Sequence, residues 1–261
     1  MMKSKNKIYF IILFIFITAN VIIYLYDIVY TQNSSFLILD YDNSIQIHNN
    51  KYSINKNIVK KLNGSQMTLL DKIGHDGYLD IKNNEETLDN YVTFFDKSME
   101  EVSQSYESII ISNNSNIKNY SYLISYEITE GDIKNIEKYL KQNNLGTYTN
   151  HIDVTKASLP NNKILYSIKS ISPSSSKENN YAVIFILDGS EFYTVYTKTN
   201  IEIKTKSSSI NKLVDINNDN NIDLILSSSK YASDNESCYS LYIYNAKTNS
   251  YDPKINCEGD E

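Results

Sequence analysis

From Ile8 to Tyr26 the chain reads IYFIILFIFITANVIIYLY, a run without any charge in which only Thr18 and Asn20 are clearly polar. A helix of this length, at about 1.5 Å per residue, spans a hydrocarbon core of about 30 Å. Lys3, Lys5 and Lys7 precede the run and Asp27 follows it. The positive-inside tendency then keeps the beginning of the chain in the cytoplasm and exports what comes after. The sequence thus predicts an N-terminal transmembrane helix whose Ile8, Phe10, Leu13, Phe16, Val21 and Leu25 meet membrane lipid. A cleaved signal peptide is the competing reading. Its apolar stretch is ordinarily shorter, and the best small residue, Ala19, lies inside the run with Ile17 two places before it.

Beyond residue 31 the chain has to fold outside the cytoplasm, and its composition allows that. With 261 residues and 41% hydrophobic content it can bury one large core or two modest ones. A formal net charge of -6 argues against a nucleic-acid surface, which needs clustered cations. The only cysteines are Cys238 and Cys257. Both follow the anchor, where an oxidising compartment lets them pair, and they bracket the segments YSLYIY and YDPKIN as the two ends of a hairpin. A Cys238–Cys257 disulfide is expected.

Three regions are expected: 1–31, a lysine-bearing start and the anchor; 32–149, an extracytoplasmic α+β region; and 150–261, an antiparallel all-β domain. In the second region, Ser34 to Ile54 alternates apolar and polar residues around Asp42-Asn43 and Asn49-Asn50, as short strands joined by tight turns do. Tyr91, Val92, Phe95, Met99, Val102 and Tyr106 recur at steps of three and four from Leu88 onward, apart from the adjacent first pair, which predicts a helix. Segments 108–112 and 120–129 read as a hairpin around 113–119. A second helix follows, with Asp132 as its cap, Ile133, Ile136, Tyr139 and Leu140 on one face, and Gly146 at its end.

The third region matches itself. Asn162–Ser170 aligns with Asn221–Ser229 at an offset of 59 residues, and Tyr181 aligns with Tyr239 at an offset of 58. Each unit holds an apolar strand, a polar loop, a second strand and a turn, which suggests two copies of one antiparallel unit. The second unit includes DINNDNNIDLIL, Asp215 to Leu226. This stretch resembles the loop and strand of FG-GAP and VCBS-type repeats, the blade units of integrin-like propellers, whose pattern is Asp-x-Asn/Asp-x-Asp-Gly-x-x-Asp-Leu. The resemblance implies two propeller-blade-like units and a bound calcium ion. Asp215, Asn217, Asp219 and Asp223 would supply side-chain oxygens and Asn221 its backbone carbonyl. Asn220 stands where that family has glycine; Asn is among the few residues that tolerate the left-handed turn. The first copy is degenerate: ASLPNNKIL places Ser158 and Pro160 at ligand positions, so no ion is expected there.

On chemistry alone, alternate oxygens in a tight loop suit a hard cation that takes six to eight of them. An EF-hand would place a bidentate Glu at position 12 and enter a helix; here that position is Leu226 and a strand follows. His48, His75 and His151 form no zinc-type pair, and 7 glycines assemble neither a phosphate loop nor a dinucleotide fingerprint. A catalytic role is not expected. The function expected is that of a single-pass, membrane-anchored extracytoplasmic binding or scaffold protein with a calcium-stabilised β domain, facing a protein or glycan partner at the cell envelope. The alternative is a cell-envelope enzyme or an inhibitor of a cell-wall hydrolase.

Overall fold

The computed structural model describes residues 12–22, 34–56, 58–70, 75–83, 90–96, 111–146, 152–170, 180–201, 207–229 and 238–257. Helix α1 covers 12–22. After it come β1 (Ser35–Ile38), β2 (Ser44–His48), β3 (Lys51–Ile54), the one-turn helix α2 (Ile58–Lys61), β4 (Gln66–Leu69), β5 (His75–Asn83), β6 (Asn90–Asp96) and β7 (Ile111–Ser112). Two very short strands, β8 (Lys118–Asn119) and β9 (Ile124–Ser125), precede α3 (Glu130–Gln142). The remainder is β10 (Ile152–Ser158), β11 (Ile164–Ser170), β12 (Tyr181–Asp188), β13 (Glu191–Thr199), β14 (Ser207–Asp215), β15 (Asp223–Ser229), β16 (Cys238–Asn245) and β17 (Ser250–Ile255).

Three antiparallel sheets result. The first has the order β3-β2-β1-β7-β4-β5-β6, the second β17-β16-β15-β14-β8, and the third β13-β12-β11-β10-β9. The second and third share one plan, a four-stranded meander with a two-residue strand against its first member. Their equivalent strands β11 and β15 begin 59 residues apart, as do β13 and β17.

The layers stack, because central strands present apolar residues on both faces. In β1, Phe36 and Ile38 enter a core shared with Ile58 and Val59 of α2, while Leu37 turns the other way onto Val214, Ile225 and Leu241 of the second sheet. In β15, Ile225 faces the first sheet and Leu224 and Leu226 face the third. In β12, Ile184 and Ile186 meet the second sheet, and Val183, Phe185 and Leu187 meet Ile136, Tyr139 and Leu140 of α3. The sequence of layers is therefore α2, first sheet, second sheet, third sheet, α3. Strands covered on both sides read as unbroken apolar runs, as YAVIFIL does.

The α+β region expected over 32–149 is chiefly antiparallel β. Its first expected helix is strand β6 over Asn90–Asp96, with 97–110 outside the described residues. The helical stripe omitted Phe94, yet Phe94 is fully buried and shares the α2-side core with Val92, two residues away, which is the period of a strand. β-branched and aromatic residues in NYVTFFD favour that outcome, and β6 pairs with β5 along its whole length. The hairpin expected around 113–119 is also replaced: β7 joins the first sheet, β8 the second and β9 the third. By pairing and packing, 118–142 goes with the second and third sheets, across the boundary drawn at 149/150.

The second expected helix is α3, capped by Thr129 rather than Asp132. Asp132 is its third residue and reaches back to the Thr129 amide at 2.8 Å, while the Thr129 hydroxyl accepts from the Asp132 amide at 3.2 Å. This is a reciprocal capping box. Among the described residues no helix is long and apolar enough to cross a membrane. Of the expected anchor residues, Leu13, Phe16 and Val21 lie on α1, and Ile8, Phe10 and Leu25 lie outside the described residues.

Candidate functional site

The loop between β14 and β15 brings Asp215, Asn217, Asp219, Asn221 and Asp223 into one tight turn. Asp215 ends β14 and Asp223 opens β15, so sheet pairing fixes both ends, and both carboxylates are fully buried. Asn218 and Asn220 take left-handed backbone, at φ 59 and φ 65. The chain thereby wraps around the Asp215 carboxylate, whose two oxygens accept from the amides of Asp219 at 3.0 Å and Asn220 at 2.9 Å. Asp223 accepts from the amides of Ile216 at 3.0 Å and, across the sheet, Tyr244 at 2.9 Å. Asn217 and Asp219 stand on the exposed rim with Asn221 half-buried beside them, and Asn217 and Asp219 accept from the amides of Asp219 and Asn221.

Electrostatics follow from this geometry. Burial pushes the Asp223 carboxyl up to about 7; the Tyr244 and Ile216 amides oppose the rise, and the charges of Asp219 and Asp215 add to it. Tyr52 of β3 feels the same charges: burial first, then Asp223 and Asp219, push its hydroxyl up. Burial and then Asp223 do so for Tyr251, whose hydroxyl donates to the Ile222 carbonyl at 2.9 Å. From β8, the Lys118 ammonium donates to Asn220 Oδ1 at 2.5 Å and lies 3.7 Å from Asp215 Oδ2.

Hard oxygen donors of this kind are the right chemistry for calcium. Their present arrangement is self-satisfied, with each oxygen of the two buried carboxylates on a backbone amide. Among the described residues no three His, Cys, Asp or Glu side chains converge as a metal-holding group. An ion would have to draw the Asp219 rim inward over Asp215 and Asp223.

The cysteines expected to pair form the disulfide Cys238–Cys257, with Cα atoms 6.0 Å apart. It ties the first residue of β16 to the chain just past β17. Sequence spacing did not point to Lys118, which reaches the loop only because β8 pairs with β14. Nor did it point to the buried network on α3, where Asp132 accepts from Lys156 Nζ at 2.6 Å and from the Tyr166 hydroxyl at 2.7 Å. The spacing Thr129-x-x-Asp132 was the available signal for that second group. Away from the loop, an open cleft of about 310 Å³ separates α3 from the β12–β13 turn. Its walls are closed on themselves: Lys138 lies 5.3 Å over the Phe192 ring, and the Tyr139 hydroxyl is bonded to Thr194.

Compared with known protein families, curated proteins and solved structures, the chain matches none.

Proposed function

We propose that this is a single-pass membrane-anchored protein whose layered β body stands outside the cytoplasm as a binding or scaffold module, with calcium steadying the 215–223 loop. The observation that carries the reading is the surface of α1. Ile12, Leu13, Phe14, Ile15, Phe16, Ile17, Val21 and Ile22 are each at least half exposed, so the helix is apolar on every side and calls for lipid around it. Its two polar side chains each turn a donor back onto the helix: Thr18 donates to the carbonyls of Phe14 and Ile15, and Asn20 to that of Phe16. The disulfide fits an oxidising compartment. The shared plan of the second and third sheets supports blade-like units of the FG-GAP or VCBS type. Calcium would supply positive charge to the two buried carboxylates of the loop, in keeping with the rule that buried charges are paired or bind metal.

Two measurements test the reading. A reporter fused after Glu261 is expected to be active only in its extracytoplasmic form, and cytoplasmic activity would overturn the topology. Calorimetry on the full chain in detergent is expected to detect calcium with a Kd of order 10⁻⁴ to 10⁻³ M, as in extracellular modules. Absence of heat at millimolar calcium reduces the loop to a polar turn.

A further inference from the structure

The open cleft between α3 and the β12–β13 turn, about 310 Å³, is of a size that takes a small ligand. The last turn of α3 brings Lys138, Tyr139 and Gln142 to it, and the first half of β13 brings Glu191, Phe192 and Thr194. Packing fixes these walls. The Tyr139 ring is stacked on Phe185 at 3.8 Å between centres and meets Phe192 edge-on at 5.5 Å, while its hydroxyl is tied to Thr194. Other groups at the cleft are left unanswered. Gln142 and Glu191 are exposed, and among the described residues neither side chain makes a hydrogen bond or an ion pair. Lys138 uses one of its three donors on the Ser190 carbonyl at 3.4 Å.

Resting on the reading of the body as a binding module outside the cytoplasm, we propose that this cleft is its ligand site and that it takes a neutral sugar unit of a glycan. The lining decides the class. Glu191 repels an anion and Lys138 a cation, whereas a zwitterion would give up the hydration of two full charges to side chains that stand in water. A purely apolar ligand would leave the Gln142 amide and the Glu191 carboxylate without partners. A sugar hydroxyl both donates and accepts, so neighbouring hydroxyls can answer the acceptor oxygens of Glu191, the two-sided amide of Gln142 and the remaining donors of Lys138. Phe192 stays partly exposed beside Lys138 and gives the C–H face of a pyranose ring an apolar surface to lie on. Because the cleft is open, a glycan chain can continue from the bound unit into water.

The test is calorimetry on the full chain in a detergent without a sugar headgroup. Maltotriose, cellotriose and chitotriose serve as neutral probes, trigalacturonate as the anionic one and alanine as the zwitterion. At least one neutral trisaccharide is expected to bind with a Kd of order 10⁻³ M, and trigalacturonate and alanine more weakly or not at all. Glu191→Ala should weaken that binding by about tenfold or more, and Gln142→Ala by roughly three- to tenfold, the losses that a charged and a neutral hydrogen bond support. Both residues are exposed, so both variants should melt as wild type does. Absence of heat from every neutral probe at about 10 mM overturns the proposal. So does binding that neither substitution weakens, or tighter binding of trigalacturonate or alanine. An extracytoplasmic reporter with no sugar bound overturns the cleft alone; sugar binding with a cytoplasmic reporter supports the cleft and overturns the placement of the body.

Discussion

Asparagine does the work of glycine in this chain. Asn49, Asn50, Asn144, Asn161, Asn162, Asn200, Asn218, Asn220 and Asn249 all have positive φ, against Gly64, Gly146 and Gly189 among the described glycines. A short side chain that bonds to nearby backbone makes the left-handed region affordable, so few glycines do not mean few turns. At Asn220 this substitution has a consequence for the loop. Asn220→Gly removes the residual strain at φ 65 and also the oxygen that holds Lys118. Calcium is expected to bind that variant more tightly, by roughly two- to fivefold, on calorimetry; unchanged affinity would show that neither effect limits binding. Asp132 offers a test by pH. Burial alone would raise its carboxyl, but hydrogen bonds from Lys156, Thr129 and Tyr166 outweigh burial and hold it well below the usual carboxylate range. A depressed carboxyl contributes stability that is fully present above its unfolded value of about 4 and drains away as pH falls toward the folded value. Asp132→Asn should therefore flatten the acid side of the stability profile below about pH 4 and, by leaving Lys156 without its partner, cost about 3 kcal/mol at neutral pH. An acid limb as steep as that of wild type would reject this account.

Elements here are decided by competition between local pattern and pairing. In α3 both agree: the capping box starts the helix, and Ile136, Tyr139 and Leu140 give it one buried face. In 88–106 they conflict, and the nine-residue β5 offers β6 a ladder that a solitary helix could not match. The β16–β17 hairpin has a covalent element as well. Its return strand carries Pro253, which cannot donate to the ladder, and a register shift between Leu241 and Tyr242. The Cys238–Cys257 bond, with a sequence separation of 19, holds the far end of that interrupted ladder. Loop-closure entropy for this span is about 3 kcal/mol, so Cys257→Ser should lower stability by roughly 2 to 3 kcal/mol in urea unfolding. Equal stability of the variant and the oxidised wild type would mean that the hairpin closes unaided.

At the scale of the molecule, residues 111–125 matter most. This short segment gives two residues to each sheet in turn, as β7, β8 and β9, with a 3-10 turn at Ser121–Leu123 before the last. Side chains reinforce the threading: Asn113 and Ser112 bond to the backbone of β1, Asn119 to the Leu70 carbonyl, and Tyr120 donates its amide to Leu213. Layers joined in this way are expected to unfold together. A fragment of 150–261 leaves behind β8, β9 and α3, and with them the cover of the third sheet. It should melt lower and less cooperatively than a fragment of 113–261, and both should melt below the full chain, by circular dichroism. Identical melting of the two fragments would show that the threading segment and α3 are dispensable.

The residues alone determined what depends on neighbours in the chain. Turns at Asn49-Asn50 and in 215–223, the meander of short apolar strands after residue 150, the helix that carries Ile133, Ile136, Tyr139 and Leu140, and the proximity of the two cysteines all follow from periodicity, turn chemistry and short loops. Tertiary structure decided the rest, for identifiable physical reasons. A two-residue strand has no periodicity to read, so the destinations of β7, β8 and β9 existed only in the stacked sheets. A strand buried on both faces loses its alternation, so the opposed roles of Phe36 and Leu37, or of Leu224 and Ile225, could not be separated in advance. The loop shows the division within one site: its oxygens were legible as a pattern, whereas the lysine that answers them came from a ladder that no local window contains.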